Sequence, residues 1–342
     1  MSEKKIKCVV FDLDNTLWDG TISEGDDVKL KDGVRDMLDT LDRRGILMSI
    51  ASKNNFEDCE KKLRELGIFD YFLVPQISWN PKSEAVLEIS TLLNLSTKEF
   101  AFVDDRETER DEVKFAHPDI SIYDESVIPT LINLDEFTPR FITEDSALRR
   151  RLYINDLKRQ KDEKEFHGTS EEFLRTLNMT LTIRPVSNGD LERVEELTRR
   201  THQLNSTGRS FSYEELCTLI DNPDYIFLIV SLENKYGDCG KVGLALVEKG
   251  KKTLTIKLLI MSCRVMTLGI GSALLIYLMK LAEREECDLC ADFVFTDRNR
   301  VMYITYKMLG FEDNSDDDAK ETLLVWDKEA REIPDWFKIC EV

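Results

Sequence analysis

Phe11-Asp12-Leu13-Asp14-Asn15-Thr16-Leu17-Trp18 decides how the rest of the chain reads. The apolar run Lys7-Cys8-Val9-Val10-Phe11 before it predicts a buried strand. Asp12 falls at the C-terminal end of that strand, with Asp14 two residues on. In open parallel α/β sheets this edge is where ligands bind. Two carboxylates facing one cleft can hold a hard cation such as Mg2+. They can also divide labour, one attacking as nucleophile and the other moving protons. Taken alone, the same residues suit a polar turn with an Asx cap, so the choice depends on the motifs further along the chain.

After the polar stretch Asp19–Asp27, a helix is predicted over Asp32–Arg44 and a second buried strand over Ile46–Ala51. Ser52-Lys53-Asn54-Asn55 comes next, ahead of a helix predicted over Phe56–Leu66. A hydroxyl and backbone N–H groups at such a junction make a phosphate cradle, with Ser52, Lys53 and Asn54 as its candidates. Asn80-Pro81-Lys82-Ser83 opens a further helix running to Asn94. A lysine near a helix N-terminus opposes the dipole, and a lysine that neutralises a phosphate explains its position better. A third apolar strand, Phe100–Val103, ends in Asp104-Asp105-Arg106-Glu107-Thr108-Glu109. Two carboxylate pairs at the ends of separate parallel strands would repel without a cation.

In this order, Asp-x-Asp-x-Thr-Leu, Ser52, Lys82 and Asp-Asp-x-x-x-Glu resemble the four motifs of the haloacid dehalogenase (HAD) superfamily. Its members are mostly phosphatases that work through an aspartyl-phosphate. The resemblance implies Asp12 as nucleophile and Asp14 as general acid and base. Asp12, the backbone of Asp14, and Asp105 would hold Mg2+, with Asp104 sharing or supporting the metal, while Ser52 and Lys82 would grip the phosphoryl group. The stretches between Thr16 and Ser52, and between Ser52 and Lys82, are too short for a cap domain. An uncapped site needs either a large substrate or cover from the second half of the chain.

The 342 residues suit two domains, predicted as 1–133 and 179–342 with a charged helical linker over 134–178. Within that linker the stretch from Ser170 to Phe173 reads as a capping turn. A net charge of −19 argues against a nucleic-acid partner. No leading apolar segment follows Met1-Ser2-Glu3-Lys4-Lys5, so neither signal peptide nor membrane span is expected. Eight scattered cysteines do not form a disulfide framework, and the expected location is the reducing cytoplasm. Cys287-x-x-Cys290 lacks a second pair, and His117, His167 and His202 are too dispersed for a zinc site.

The second half alternates differently. Strands are predicted over Met179–Val186, Ile226–Leu232, Lys241–Glu248, Thr253–Met261 and Leu289–Phe295, and helices over Gly189–Thr201, from Ser212, and over Asn299–Leu309. Between the last two strands, Ser262-Cys263-Arg264-Val265-Met266-Thr267-Leu268-Gly269-Ile270-Gly271 turns into a long apolar helix. Strand, Gly-x-Gly, helix is an arrangement that aims backbone N–H groups at a pyrophosphate. The layout resembles the GNAT acyltransferase fold, which uses this loop for the pantetheine-pyrophosphate arm of coenzyme A or of a carrier protein. Arg264, Gly269 and Gly271 are the pantetheine-binding candidates that this implies. In one register Met266 stands where that loop pattern has its basic residue; in the other Arg264 is kept and Thr267 stands in place of the first glycine.

The expected fold class is therefore α/β: an uncapped (C0) HAD-like Rossmannoid parallel sheet followed by a GNAT-like α+β domain. Together the halves resemble the FkbH-like HAD-IIIC family of glyceryl transferase/phosphatases, from Lys7 to about Phe311. The specific parts are Asp-x-Asp-Asn-Thr-Leu-Trp, Ser52-Lys-Asn-Asn, Pro81-Lys-Ser-Glu, Val103-Asp-Asp, His202-Gln-Leu-Asn-Ser-Thr and Ser262-Cys-Arg-Val. Asp19 stands where that family has glycine. The resemblance implies phosphate loss from a phosphorylated three-carbon acid and transfer of its acyl group to the phosphopantetheine thiol of an acyl carrier protein. Cys263 is the candidate thiol for an acyl intermediate. The competing readings are a plain Mg2+-dependent phosphatase of a small phosphorylated metabolite, and a second half that only recruits a partner protein.

Overall fold

Cys8–Phe11 (β1) forms the middle of a five-stranded sheet because each of its residues is apolar and buried. The chain then makes the short strands Trp18–Asp19 (β2) and Lys29–Leu30 (β3), which pair with each other, and the helix Val34–Arg43 (α1). Leu47–Ser52 (β4), Phe56–Glu65 (α2), Gln76–Ile77 (β5) and Lys82–Leu93 (α3) come next. Phe100–Asp104 (β6), Glu107–Ala116 (α4) and Ser121–Asp124 (β7) complete the sheet. Its order is β5-β4-β1-β6-β7 and every pairing is parallel. β1, β4 and β6 are buried throughout, which is why they read as mainly apolar runs, interrupted in β4 by the buried Ser49. The chain leaves β1 to one side for β4 and returns to its other side as β6. Asp12 and Asp104 therefore end neighbouring strands at the sheet's switch point.

This computed structural model describes residues 5–314 and 320–342. The chain divides into two compact units, Met1–Leu157 and Lys158–Val342. Glu144–Ala147 (α5), Arg149–Glu165 (α6) and Ser170–Arg175 (α7) lie around this division, which falls within α6. The capping box of α7 is set one residue before the predicted turn: Thr169 caps, and Glu172 returns to the Thr169 backbone. The helix predicted from Asp32 starts at Val34, after Gly33 takes a left-handed φ of 81°.

The second unit holds Met179–Pro185 (β8), Leu191–Arg200 (α8), Tyr213–Ile220 (α9), Tyr225–Asn234 (β9) and Gly237–Lys249 (β10). Thr253–Met261 (β11), Ile270–Arg284 (α10), Asp288–Val294 (β12) and Arg300–Met308 (α11) come after them. Phe311–Asp313 (β13), Glu321–Trp326 (β14) and Phe337–Glu341 (β15) end it. The strand order is β13-β14-β12-β11-β10-β9-β8-β15, antiparallel except where β11 meets β12 and β15 meets β8. This is an α+β layout, as expected for the second half, with α10 burying Ile270, Ala273, Leu274, Leu278 and Met279 in the unit's core.

β11 and β12 pair only from Thr253–Ile256 against Asp288–Ala291. Beyond that point the chain's own residues 204–206 sit on β11. Met261 N–H donates to the Leu204 carbonyl at 2.9 Å, and Ser206 N–H to the Leu259 carbonyl at 3.0 Å. Leu259 N–H donates to Ser206 Oγ at 3.0 Å, while Val294 N–H of β12 reaches the Ser206 carbonyl at 3.1 Å. Asn299 Nδ2 ties Asn205 to β12, donating to the carbonyls of Asn205 and Val294 at 3.0 and 2.8 Å. A segment without strand character of its own thus satisfies backbone groups that the parting strands leave behind.

Candidate active site

The loop after β1 begins the site. Asp12 is buried where the parallel ladder ends, and Asn15 takes a left-handed φ of 54° that turns the chain toward β2. Thr16, fully buried, accepts a hydrogen bond from Asp105 N–H at 3.1 Å and lies 3.5 Å from Asp12 Oδ2. One threonine therefore joins the ends of β1 and β6.

Lys82 begins α3 and points inward. Its Nζ lies 2.9 Å from Asp12 Oδ1 and 2.6 Å from Asp104 Oδ2, with all three side chains almost wholly out of water. Arg106 N–H holds the second oxygen of Asp104 at 2.9 Å. Burial pushes the Asp12 carboxyl above the ordinary range against the pull of Lys82. Asp104 is pushed up to about 6, first by burial and then by the charge of Asp12, with Lys82 opposing. For Lys82 burial acts to lower the pKa, but Asp12 and Asp104 outweigh it and hold the ammonium above its usual value. The Ser52 hydroxyl also bonds Asp12 and favours its ionised form.

Asp12, Asp104 and Asp105 bring carboxylate oxygens within 4.8 Å of one another. Three carboxylates against one ammonium leave negative charge uncompensated in a mostly buried place. An all-oxygen donor set of this charge fits a hard divalent cation such as Mg2+. The side chain of Asp14 is outside this group. Its Oδ1 accepts from Trp18 Nε1 at 2.8 Å and from Ile22 N–H at 3.3 Å, and its Oδ2 from Asn54 Nδ2 at 2.9 Å. Only the backbone of Asp14 is left to serve a metal.

The three residues after β4 part ways. Ser52 is buried beside Asp12, and Asn54 is buried against Asp14 and Ser52. Lys53 turns away to an ion pair with Glu109 at 2.9 Å. Sequence patterns place Thr16 and Trp18 in the motif without giving either a role, and do not single out Ile22. The available signal is that Thr16 and Trp18 lie four residues after Asp12 and Asp14, within reach of the acids across one turn of the loop.

In the second unit, Cys263 and Arg264 lie in the 3-10 turn Cys263–Leu268, and Gly269 caps α10 with a φ of 77°. Arg264 spends one guanidinium N–H on the Cys239 carbonyl at 3.2 Å. A Cβ at Gly271 would meet Met261 Cγ at 3.6 Å, an ordinary contact, so packing does not require glycine there. None of the eight cysteines is joined in a disulfide. A separate cavity of about 750 Å³ in this unit is lined by Lys257 and Asp292, paired at 2.5 Å, and by Arg209 and Phe211 among others. No helix among the described residues is long and apolar enough to cross a membrane.

The sequence profile of the haloacid dehalogenase-like hydrolase family matches residues 21–111. That span holds Ser52, Lys82, Asp104 and Asp105, while Asp12 and Asp14 lie before it. No curated protein matches the chain. Among solved structures, the N-terminal part of BF1531 from Bacteroides fragilis, containing a phosphatase domain and complexed with Mg, is similar at 22% identity and a TM-score of 0.33. That likeness covers 44% of this chain and 40% of the other, so less than half of the Bacteroides chain is spanned. A HAD-superfamily hydrolase from Ehrlichia chaffeensis is 22% identical over 39% of this chain and 100% of its own, with a TM-score of 0.32. PaiA N-acetyltransferase from Thermoplasma acidophilum, in complex with coenzyme A, is 20% identical over 43% of this chain and 98% of its own, with a TM-score of 0.35.

Proposed function

We propose that the first unit is a Mg2+-dependent phosphohydrolase that acts on a small phosphorylated metabolite through an aspartyl-phosphate at Asp12. The observation that carries this reading is Lys82 held between Asp12 and Asp104, with Asp105 and Ser52 beside them. Asp12, Asp104 and Asp105 would hold the cation, which when bound supplies positive charge against the phosphoryl oxygens.

The protein's own groups do the rest. Lys82 and Ser52 favour the ionised form of Asp12 against the opposing effect of burial, and in that form a carboxylate oxygen attacks phosphorus. As the Asp12 oxygen–phosphorus bond forms, the bond from phosphorus to the substrate oxygen breaks, and that oxygen takes a proton from Asp14. Water then attacks the phosphorus of the aspartyl-phosphate and gives its proton to Asp14. Inorganic phosphate leaves and the Asp12 carboxylate is restored. Lys82 offsets charge on the phosphoryl group throughout, where such catalysis gains most.

The test is phosphate release with Mg2+ from a panel of phosphorylated metabolites and acyl phosphates, with Asp12→Asn as control. Release that depends on Asp12 supports the reading. Equal release by Asp12→Asn contradicts it.

A second reading couples this chemistry to transfer of a glyceryl-type acyl group onto the phosphopantetheine thiol of an acyl carrier protein, or onto coenzyme A, with Cys263 as the relay thiol. Gly269 at the start of α10 favours it, since a glycine-opened helix N-terminus suits a pyrophosphate. The engagement of Arg264 with Cys239, and of residues 204–206 with β11, weighs toward a second unit that binds or shields rather than transfers. Mass added to a holo carrier protein during phosphate release would decide for the coupled reaction.

A further inference from the structure

We propose that Asn54, working with Trp18, is a positioning residue for Asp14 and not a ligand of the phosphoryl group. The inference rests on the phosphohydrolase reading. It starts from the hydrogen inventory of one buried amide. Asn54 Nδ2 carries two hydrogens, and both have partners: Asp14 Oδ2 at 2.9 Å and Ser52 Oγ at 3.2 Å. Nothing remains on that nitrogen to donate to a phosphate oxygen. The other end of the amide, Oδ1, is a buried acceptor with no partner, and an acceptor repels phosphate oxygens. Turning the amide over would set Oδ1 against the Asp14 carboxylate, so the hydrogen-bond partners fix its orientation.

Trp18 completes the clamp from the opposite side. Its single N–H goes to Asp14 Oδ1 at 2.8 Å, and its ring is fully buried in the first unit's core. Ile22 N–H shares that oxygen at 3.3 Å. Asp14 is thus tethered at Oδ1 by the β2 side of the loop and at Oδ2 by the end of β4. Both torsions of a short side chain are fixed when its two oxygens are held from different elements. Proton transfer to a leaving oxygen depends on that aim. Asn54 also links Asp14 to Ser52, so the proton carrier and the hydroxyl beside the nucleophile are placed by one amide.

Leaving-group dependence tests this, because an alkoxide needs a proton as it departs whereas nitrophenolate leaves without one. Wild type, Asp14→Asn, Asn54→Ala and Trp18→Phe would be compared on para-nitrophenyl phosphate and on an alkyl phosphate, with orthovanadate inhibition measured alongside. In Asn54→Ala, kcat/KM should fall by about tenfold or more on the alkyl ester and by less than about threefold on the nitrophenyl ester. Trp18→Phe keeps the buried ring, removes the N–H, and should show the same selective loss; it decides alone if Asn54→Ala does not fold. Equal losses on both esters would overturn the positioning role. So would a raised KM with weakened vanadate inhibition, which would make Asn54 a phosphoryl ligand. If wild type turned over neither ester, nor any of the metabolite panel, the phosphohydrolase reading itself would fall and this inference with it.

Discussion

Lys82 Nζ lies 2.6 Å from Asp104 Oδ2, an ion pair in which the carboxylate is wholly shielded from water and the ammonium nearly so. The same nitrogen is 2.9 Å from Asp12, so one side chain bridges the acids at the ends of two parallel strands. A charge buried this deeply is costly unless paired. Loss of Lys82 would leave two carboxylates facing each other without a counter-ion. Lys82→Met should therefore destabilise the first unit by about 3–5 kcal/mol and abolish phosphate release. Adding Asp104→Asn should recover much of the stability and none of the activity. Urea denaturation of the single and double variants checks this.

The raised Asp104 carboxyl gives cation binding a pH dependence. A carboxylate whose folded pKa lies above its unfolded value is protonated more readily when folded, so its charged form costs stability as pH rises toward about 6. A divalent cation needs that charged form and must displace the proton. Apparent Mg2+ affinity should weaken by about tenfold per pH unit below 6 for one displaced proton, and level off above about 7. Because Asp12 and Asp104 interact, the midpoint belongs to the pair. Calorimetric titration between pH 5 and 8 in buffers of different ionisation heat would count the protons released, and affinity flat across that range would contradict the account.

In the second unit Asp190 carries the clearest stability prediction. Its carboxylate takes a two-pronged bond from Arg184 at 2.7 and 2.8 Å, an N–H from Ser187 at 2.9 Å, and the Lys241 ammonium at 3.2 Å. Burial acts to raise its pKa, but Arg184, Ser187 and Lys241 together hold it well below the ordinary carboxylate value. With the folded pKa depressed, the contribution is fully present above the unfolded value near 4 and is lost as pH falls below it. Asp190→Asn should cost about 3 kcal/mol at pH 7, and the gap between variant and wild type should shrink steadily below pH 4. Denaturation curves at pH 7 and pH 3.5 measure both.

The seating of residues 204–206 on β11 makes a further prediction about coenzyme A. An extended ligand could pair with the Leu259 and Met261 edge only by displacing Ser206 and Leu204. Wild type should therefore show no binding of coenzyme A tighter than the millimolar range. Asn299→Ala would leave the buried carbonyls of Asn205 and Val294 without this donor, destabilising the second unit by about 1–3 kcal/mol. Micromolar binding to wild type would return weight to the acyl-transfer reading.

Much of the first unit was legible because its strands are buried on both faces. β1 and β6 show as unbroken apolar runs and β4 as one interrupted by Ser49, and each stops at a polar residue that belongs to the site. The place of Lys82 could be read from its misfit with a helix N-terminus. The roles of Lys53 and Asn54 could not, because they depend on partners distant in the chain: Glu109 for one and Asp14 for the other. β7 is half-buried and β5 only two residues long, so neither carried a period to detect. β15 was missed for another reason. It is held by parallel pairing with β8, from Phe337 against Met179 onward, and nothing local announces so distant a partner. The filling of β11 by residues 204–206 was hidden in the same way, since the stretch has no strand pattern of its own.

The most direct measurement is a rapid acid quench of the Mg2+-loaded protein while it turns over an aryl or acyl phosphate, followed by mass spectrometry of the peptide carrying Asp12. The account predicts a phosphoryl group on Asp12, formed during turnover, sensitive to hydroxylamine, and absent in Asp12→Asn. Phosphate released at full rate with Asp12 unmodified, and equally by Asp12→Asn, would contradict it.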